Sequence, residues 1–455
     1  VDGDKQVTVR VIVFPYASLS SRREALASLR NLRARVRKVT VLVRHSPAAG
    51  DGQGLESATG LVVEYRLLNS FKECLEESAA KDEYCLFLYD EDFVAKAPDL
   101  TLVLNHNETR MLVCPVTFGK VVFYRPTLVH ARTLVQRWGR LASLGPLVWA
   151  HPESALAACR SQFFEHEVAH LADRVIRQRR RVNQRSHLEY LESLGAVLPY
   201  VNPVWNRTLS VVLANYNMGN FIDKALASFA AQYVPAHQVL VIDDGSTDNS
   251  ARRVKTWLPQ VPDMELHVAV ANRGKAAALN AILPFLTSDF TLEVDADDWL
   301  DPGAIQQIRH QLSELPDKAN LLYGNLRTWT LLRNGTYRCI GTHAGRVLTN
   351  LRELLRYPFP LGPRIYRTEV LRELGGFPVS PYQNGKLYED VLVLKRLMEA
   401  GEIKYANFTV YNNLRHADSI TQRNHAHWKP FVAEEFGRSS FTQDTLANTT
   451  LPHDT

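Results

Sequence analysis

Three carboxylates close one apolar run, Leu292-Glu293-Val294-Asp295-Ala296-Asp297-Asp298-Trp299-Leu300, and two more close another, Val239-Leu240-Val241-Ile242-Asp243-Asp244. In α/β folds the carboxyl ends of parallel strands face the ligand crevice, so the two runs are expected to line one acidic cleft. Crowded carboxylates repel one another unless a cation lies between them, and hard divalent ions take oxygen ligands. The chemistry this suggests is a metal-dependent site for a phosphate-bearing substrate.

Two further motifs bear on that cleft. Asn272-Arg273-Gly274-Lys275 opens a small-residue helix, where Gly274 lets backbone approach a ligand and Lys275 brings a point charge to a diphosphate. The spacing is not that of a P-loop, and a glycine-started helix with a solvated lysine is the plain alternative. Glu389-Asp390 stands at the start of an apolar helix; capping explains one acid, and a general base facing an acceptor hydroxyl explains the other. Strand alternation points Asp295 and Asp297 the same way, against the alternative of an acidic turn before Asp301-Pro302. Asp243 to Asp248 also reads as a turn and helix cap, with Asp243 and Asp244 at the strand end.

The elements that must position these residues occur twice. Val11-Ile12-Val13-Phe14-Pro15-Tyr16 aligns with Val211-Val212-Leu213-Ala214-Asn215-Tyr216, and Ala25-Leu26-Ala27-Ser28 recurs as Ala225-Leu226-Ala227-Ser228. Tyr89-Asp90-Glu91-Asp92-Phe93 falls near Asp295 to Trp299, and Phe123-Tyr124-Arg125 near Ile365-Tyr366-Arg367. Each copy reads strand, helix, strand, helix, strand, acidic turn, the pattern of a parallel α/β fold. A chain of 455 residues exceeds one ordinary core. The expected layout is a degenerate α/β domain over 1–150, a helical linker over 151–205, a catalytic domain over 206–431 and a flexible tail over 432–455. The first copy is expected to be degenerate because Arg44-His45 stands where the second has Asp243-Asp244, and a guanidinium cannot replace a carboxylate acceptor.

Composition narrows the class. Hydrophobic content of 45% and charged content of 22% are those of a globular protein, and a net charge of +5 argues against a dedicated nucleic-acid binder. The arginine run at 174, 177, 179, 180, 181 and 185 reads as a solvated helix face. Five scattered cysteines form no metal spacing and suit free thiols in a reducing, cytoplasmic setting, while five Asn-x-Thr triplets carry little weight. No apolar run reaches the roughly 18 residues of a transmembrane helix. A rival of another class is His166-Glu167-Val168-Ala169-His170, the spacing of a zinc peptidase helix; the repeat alignment offers a duller origin, with Glu165-His166-Glu167-Val168 overlying Tyr388-Glu389-Asp390-Val391 as an acidic helix start.

Together, the opening Ser210 to Asn217, the Asp243–Asp248, Asn272–Asn280 and Asp295–Asp298 motifs, Glu389-Asp390, and Arg415-His416-Ala417-Asp418-Ser419-Ile420-Thr421 resemble a family 2 glycosyltransferase of the GT-A fold, over roughly residues 207 to 431. The resemblance implies a metal-dependent inverting hexosyltransferase using a nucleotide-sugar, UDP being the usual base, and an acceptor that is a glycan, a small molecule or a protein. It implies that Asp244, with Asp243 beside it, and Tyr216 meet the nucleobase, that Lys275 meets the diphosphate and that Asp295 holds the ribose. Asp297, with Asp298 as neighbour or alternative and His416 completing the set, would hold Mn²⁺ or Mg²⁺, and Asp390, or less favourably Glu389, would be the base. The layout of two Rossmann-like GT-A copies resembles bacterial chondroitin and hyaluronan polymerases, which leaves a bifunctional enzyme as an alternative. The Gln-x-x-Arg-Trp signature of membrane-embedded processive synthases is absent, and Ala214 stands where a Ser or Thr is common.

Overall fold

The computed structural model describes residues 7–14, 19–32, 35–43, 60–67, 70–89, 92–95, 100, 104, 109–118, 121–137, 163, 165–171, 175–178, 206–332, 337–357, 360–380, 382, 387–416 and 427–436. Arg44-His45, Asp90-Glu91, Ala417 to Thr421 and the tail beyond 436 lie outside the described residues. The chain divides into two compact units, Val1–Pro199 and Tyr200–Thr455.

The first unit is built from β1 (Thr8–Phe14), β2 (Arg35–Val43), β3 (Val63–Leu67), β4 (Tyr84–Tyr89), β5 (Asp92–Val94), β6 (Met111–Phe118), β7 (Val121–His130), β8 (Val168–His170) and β9 (Ile176–Gln178). The second has β10 (Leu209–Asn215), β11 (Gln238–Asp243), β12 (Met264–Val268), β13 (Phe290–Asp295), β14 (Trp299–Leu300), β15 (Ala319–Leu331), β16 (Tyr337–His343), β17 (Arg364–Arg367) and β18 (Glu402–Arg415). Among the described residues the first sheet runs β3-β2-β1-β4-β7-β6-β9-β5 with β8 beside β6. The second runs β12-β11-β10-β13-β17-β15-β18-β14 with β16 beside β15. The two orders are the same path, strand for strand, and the expectation of two Rossmann-like α/β copies is met.

The physical reason lies in the strands. β10 and β13 are covered on both faces and therefore read as near-continuous apolar runs, Val211-Val212-Leu213 and Leu292 to Val294 interrupted only by Glu293. They pair in parallel, Leu209 opposite Phe290 and Ala214 opposite Asp295, so both end at the same edge. β11 joins from the other side with Asn215 opposite Asp243. Helices Ile222–Ala230 and Lys275–Ile282 cover this parallel part, and Leu279, Ile282, Val212 and Leu240 share one buried core.

Within 151–205 the described residues, 163, 165–171 and 175–178, depart from the expected helical character. Among them are β8 and β9, which extend the first sheet by pairing with β6. They do in the first unit what β18 does in the second, which is why hydrophobic pattern in a short Arg-rich segment misled. Arg177, expected on a helix face, lies exposed in β9.

Candidate active site

The site is built at the carboxyl edge of β10, β11 and β13. Asp243 ends β11 buried at 1% exposure, and protein groups satisfy it: Asn215 Nδ2 donates at 2.6 Å and the Ser246 amide at 2.9 Å. Its place is architectural, pinning the β11 turn to β10. Asp244 accepts from the amides of Arg273 (3.0 Å) and Gly274 (2.8 Å), so it ties the β11 turn to the loop before the Lys275–Ile282 helix. Two glycines make that approach possible. Gly274 has φ 90°, a conformation closed to L side chains, and a Cβ on Gly245 (φ 71°) would lie 2.7 Å from the Ala271 carbonyl carbon. Tyr216 is 41% exposed just beyond β10.

Lys275, the first residue of its helix, is not solvated. Its ammonium contacts Asp295, sits 2.6 Å from Glu293 Oε1 and 3.6 Å from Glu389 Oε1. Burial would lower the Lys275 ammonium, but Asp295, Glu293 and Glu389 outweigh it and hold it well above its ordinary range. Sequence reasoning gave Glu293 no role, and it is the hub of this network. Glu293 is 2% exposed and takes a two-pronged grip from Arg364, Nε at 3.0 Å and Nη2 at 2.9 Å, plus the Tyr366 hydroxyl at 2.6 Å. Burial alone would raise its carboxyl; Arg364 and Lys275 reverse that and hold it below the usual carboxylate range. The signal was an acid inside an apolar strand, but its partner follows only from the antiparallel register that sets Glu293 opposite Arg364.

The Asp295–Asp298 turn divides its acids. Asp295 lies between Lys275 and Arg364 (3.5 Å), and its amide donates to the Tyr411 hydroxyl at 3.0 Å. Asp297 Oδ2 meets His416 Nε2 at 2.8 Å, and His416 is 9% exposed against the Phe221 ring. Asp298 turns away: the Leu414 amide donates to it at 2.8 Å and Asn413 Nδ2 at 3.2 Å, binding the turn to β18. Burial, with Asp297 and Asp295 adding, pushes the Asp298 carboxyl well up. Lys224 lies buried behind the turn, its Nζ 3.9 Å from the Trp299 ring centroid and 4.5 Å from that of Tyr337, without a hydrogen-bond acceptor among the described residues. Burial pushes it down to about 7 against the pull of Asp298 and Asp297.

Glu389 and Asp390 open the Glu389–Ala400 helix, after Tyr388 at φ 61°. Glu389 faces Lys275 with 14% of its side chain exposed, and burial pushes its carboxyl up to about 7 against Lys275's pull. Asp390 is more open at 27%, with Oδ2 3.8 Å from Arg364 Nη1 and Oδ1 accepting from the Val391 amide at 2.9 Å. Lys275 and Arg364 thus bring Asp295, Glu389 and Asp390 together, while Asp297 and His416 form a separate pair. Among the described residues no group of three His, Cys, Asp or Glu side chains is gathered for a metal.

The first unit has the same topology and different contents. Counting from the paired residues Val9–Tyr84 and Leu209–Phe290, Phe87 takes the place of Glu293 and Tyr89 that of Asp295. Phe71 begins the helix before β4 as Lys275 begins the helix before β13. Phe71 and Phe87 close with Phe14 and Tyr89 into an aromatic cluster, ring centroids 5.7 to 6.1 Å apart. Asp92, in the place of Asp298, is buried against Arg125 and accepts from the Tyr89 amide at 2.8 Å. That replacement is the physical content of the degeneracy.

The zinc-peptidase alternative does not fit. His166-Glu167 lies in a 3₁₀ turn and Val168–His170 in a strand, so the histidines are not one helical turn apart on one face. Glu167, which would activate water, is instead gripped by both terminal nitrogens of Arg137.

Residues 210–345 match the model of glycosyl transferase family 2. The glycosyltransferase alr2836 of Nostoc sp. is 25% identical over 237 residues, 51% of this chain and 70% of that protein. The chondroitin synthase of Pasteurella multocida is 25% identical over 221 residues, 48% of this chain but only 21% of that larger protein. Among solved structures, S. aureus TarS 1-349 in complex with UDP is 20% identical, covering 52% of this chain and 73% of that one at a TM-score of 0.37. The described helices include none long and apolar enough to cross a membrane. The family match takes in β11 to β16 with the Asp243–Asp248 and Asp295–Asp298 turns, while Arg364, Glu389, Asp390 and His416 lie beyond it, so over residues 210–345 the chain is similar to family 2 glycosyltransferases.

Proposed function

We propose that the second unit moves a hexosyl group from a UDP-sugar to an acceptor hydroxyl in one inverting displacement. The observation that supports this most is the meeting of Asp295 with the Glu389-Asp390 helix start through Lys275 and Arg364, at the end of the strand whose following turn carries the separate Asp297–His416 pair. In this reading Asp295 holds the ribose and Tyr216, exposed beside the Asp244-anchored loop, stacks on the base. The acceptor oxygen attacks the anomeric carbon, the bond from that carbon to the diphosphate oxygen breaks, and Asp390 takes the hydroxyl proton. Asp390 is the better base because it is the more open of the two acids and remains beside a guanidinium, while Glu389 is closed behind Lys275.

The residues fit a divalent ion in part. Asp297 and His416 offer one carboxylate oxygen and one imidazole, and the buried His416 Nδ1 has no hydrogen-bond partner among the described residues. Mg²⁺ and Mn²⁺ in such sites take one or two protein ligands and complete their shell from substrate phosphates and water. Asp298, committed to β18, is the weaker candidate. Bound there, the ion would act as Lewis acid toward the leaving diphosphate. The buried free thiols Cys74, Cys85 and Cys114 suit a reducing, cytoplasmic setting in the same reading.

UDP release from a panel of UDP-sugars with Mn²⁺ and mixed acceptors tests this. Asp297→Ala should weaken UDP binding in the presence of Mn²⁺ and abolish release. Asp390→Asn should abolish transfer with donor binding nearly intact. Full transfer by Asp390→Asn, or metal-independent release by the wild type, would overturn the reading.

A further inference from the structure

Arg364 appears in no sequence motif, yet it reaches both Asp295 and Asp390. Its side chain is 7% exposed, so it is placed to act through other residues rather than on substrate. The paired bonds to Glu293 fix the plane of the guanidinium, as planar forks do on carboxylates. With the plane fixed, Nη2 lies 3.5 Å from Asp295 Oδ2 and Nη1 lies 3.8 Å from Asp390 Oδ2. Nη1 also donates to the Leu361 carbonyl at 3.3 Å, so the group has no slack to follow either acid.

We propose that Arg364 is a positioning residue that couples donor recognition to the base, holding Asp295 on one edge of its guanidinium and Asp390 in place on the other. This rests on the reading of Asp390 as base. The groups that face Asp390 are Arg364 and Tyr366 from β17, Glu389 on its own helix and Tyr388 before it. Arg364 is the cation among them. Without it, Asp390 would be left, among the described residues, with an acid and two phenols for company and no group to fix its orientation from β17. A point charge could not do the same, because a lysine reaching Glu293 has no second edge for Asp295 and a third for Asp390.

The test is kcat and donor KM for UDP release with Mn²⁺ in the full chain, for wild type, Arg364→Met, Arg364→Lys and Asp390→Asn. A small misplacement of a reacting group costs up to about a hundredfold, so Arg364→Met should lower kcat roughly ten- to hundredfold and raise donor KM with it, since Asp390 and Asp295 both lose their hold. Arg364→Lys should show both changes as well, because it lacks the second and third edges. Wild-type kcat and KM in Arg364→Lys, or a change in only one of the two constants in both variants, would overturn the proposal. Should Arg364→Met fail to fold, Arg364→Lys decides by the same criterion. Full activity of Asp390→Asn would instead sink the base assignment itself, whereas an inactive Asp390→Asn beside an unchanged kcat in the Arg364 variants would sink only the coupling.

Discussion

Glu389→Gln separates the two neighbouring acids. Glu389 is pushed to about 7 by burial, against an ordinary 4.5, and this difference of about 2.5 units corresponds to about 3 kcal/mol. The sign follows from proton binding. Between 4.5 and 7 the folded protein holds a proton on Glu389 that the unfolded chain has released, so wild-type stability falls as pH rises through that window. Glutamine fills the same volume and does not titrate. The variant should therefore exceed wild type by under about 1 kcal/mol at pH 5 and by about 3 kcal/mol above pH 7.5. For a unit of this size that is roughly 6–12 °C in Tm, readable by thermal denaturation at pH 5 and pH 8. Transfer should survive within about threefold, because a lost general base costs about 10²–10⁴ and Glu389 is not assigned that role. A stability gap that fails to widen from pH 5 to pH 8 would refute the burial argument, showing that Lys275 keeps Glu389 ionised. A gap that widens with transfer abolished would make Glu389 the base.

Two other perturbations have definite outcomes. Gly245→Ala forces a side chain onto positive φ and against the Ala271 backbone, and it should cost more than about 2 kcal/mol in chemical denaturation while weakening UDP binding through the displaced Asn272–Lys275 loop. Arg327→Met breaks the buried grip on Asp301, both of whose oxygens lie 2.9 Å from Arg327 Nη1, and should cost about 3–5 kcal/mol of unfolding free energy with little change in donor affinity of the folded fraction.

What was legible in the sequence was what local pattern encodes. Apolar runs ending in acids located β11 and β13, and the repeat of Val11 to Tyr16 in Val211 to Tyr216 announced one path used twice. What was not legible depends on which strand lies opposite which. Arg364 follows Glu293 by 71 positions and becomes its partner only once β17 runs antiparallel to β13. Asp298 looks equivalent to Asp297 in sequence, and only the pairing of β14 with β18 brings Asn413 and the Leu414 amide onto it. Lys275 was read against solvent or a diphosphate because the acids it meets come from β13 and the Glu389 helix. The His166 to His170 spacing, set aside already on the repeat, carries no site for a related reason: a motif that works on a helix says nothing in a strand.

The aromatic cluster of the first unit sets how that unit answers to mutation. Installing the second unit's network there would require a cation at Phe71, acids at Phe87 and Tyr89 and a guanidinium opposite Phe87. Each change made singly would strand one charge among buried rings, because an interior charge without its partner is costly. The cluster therefore behaves as a block: its rings tolerate exchange for other apolar groups, but charge enters only when cation and acid arrive together.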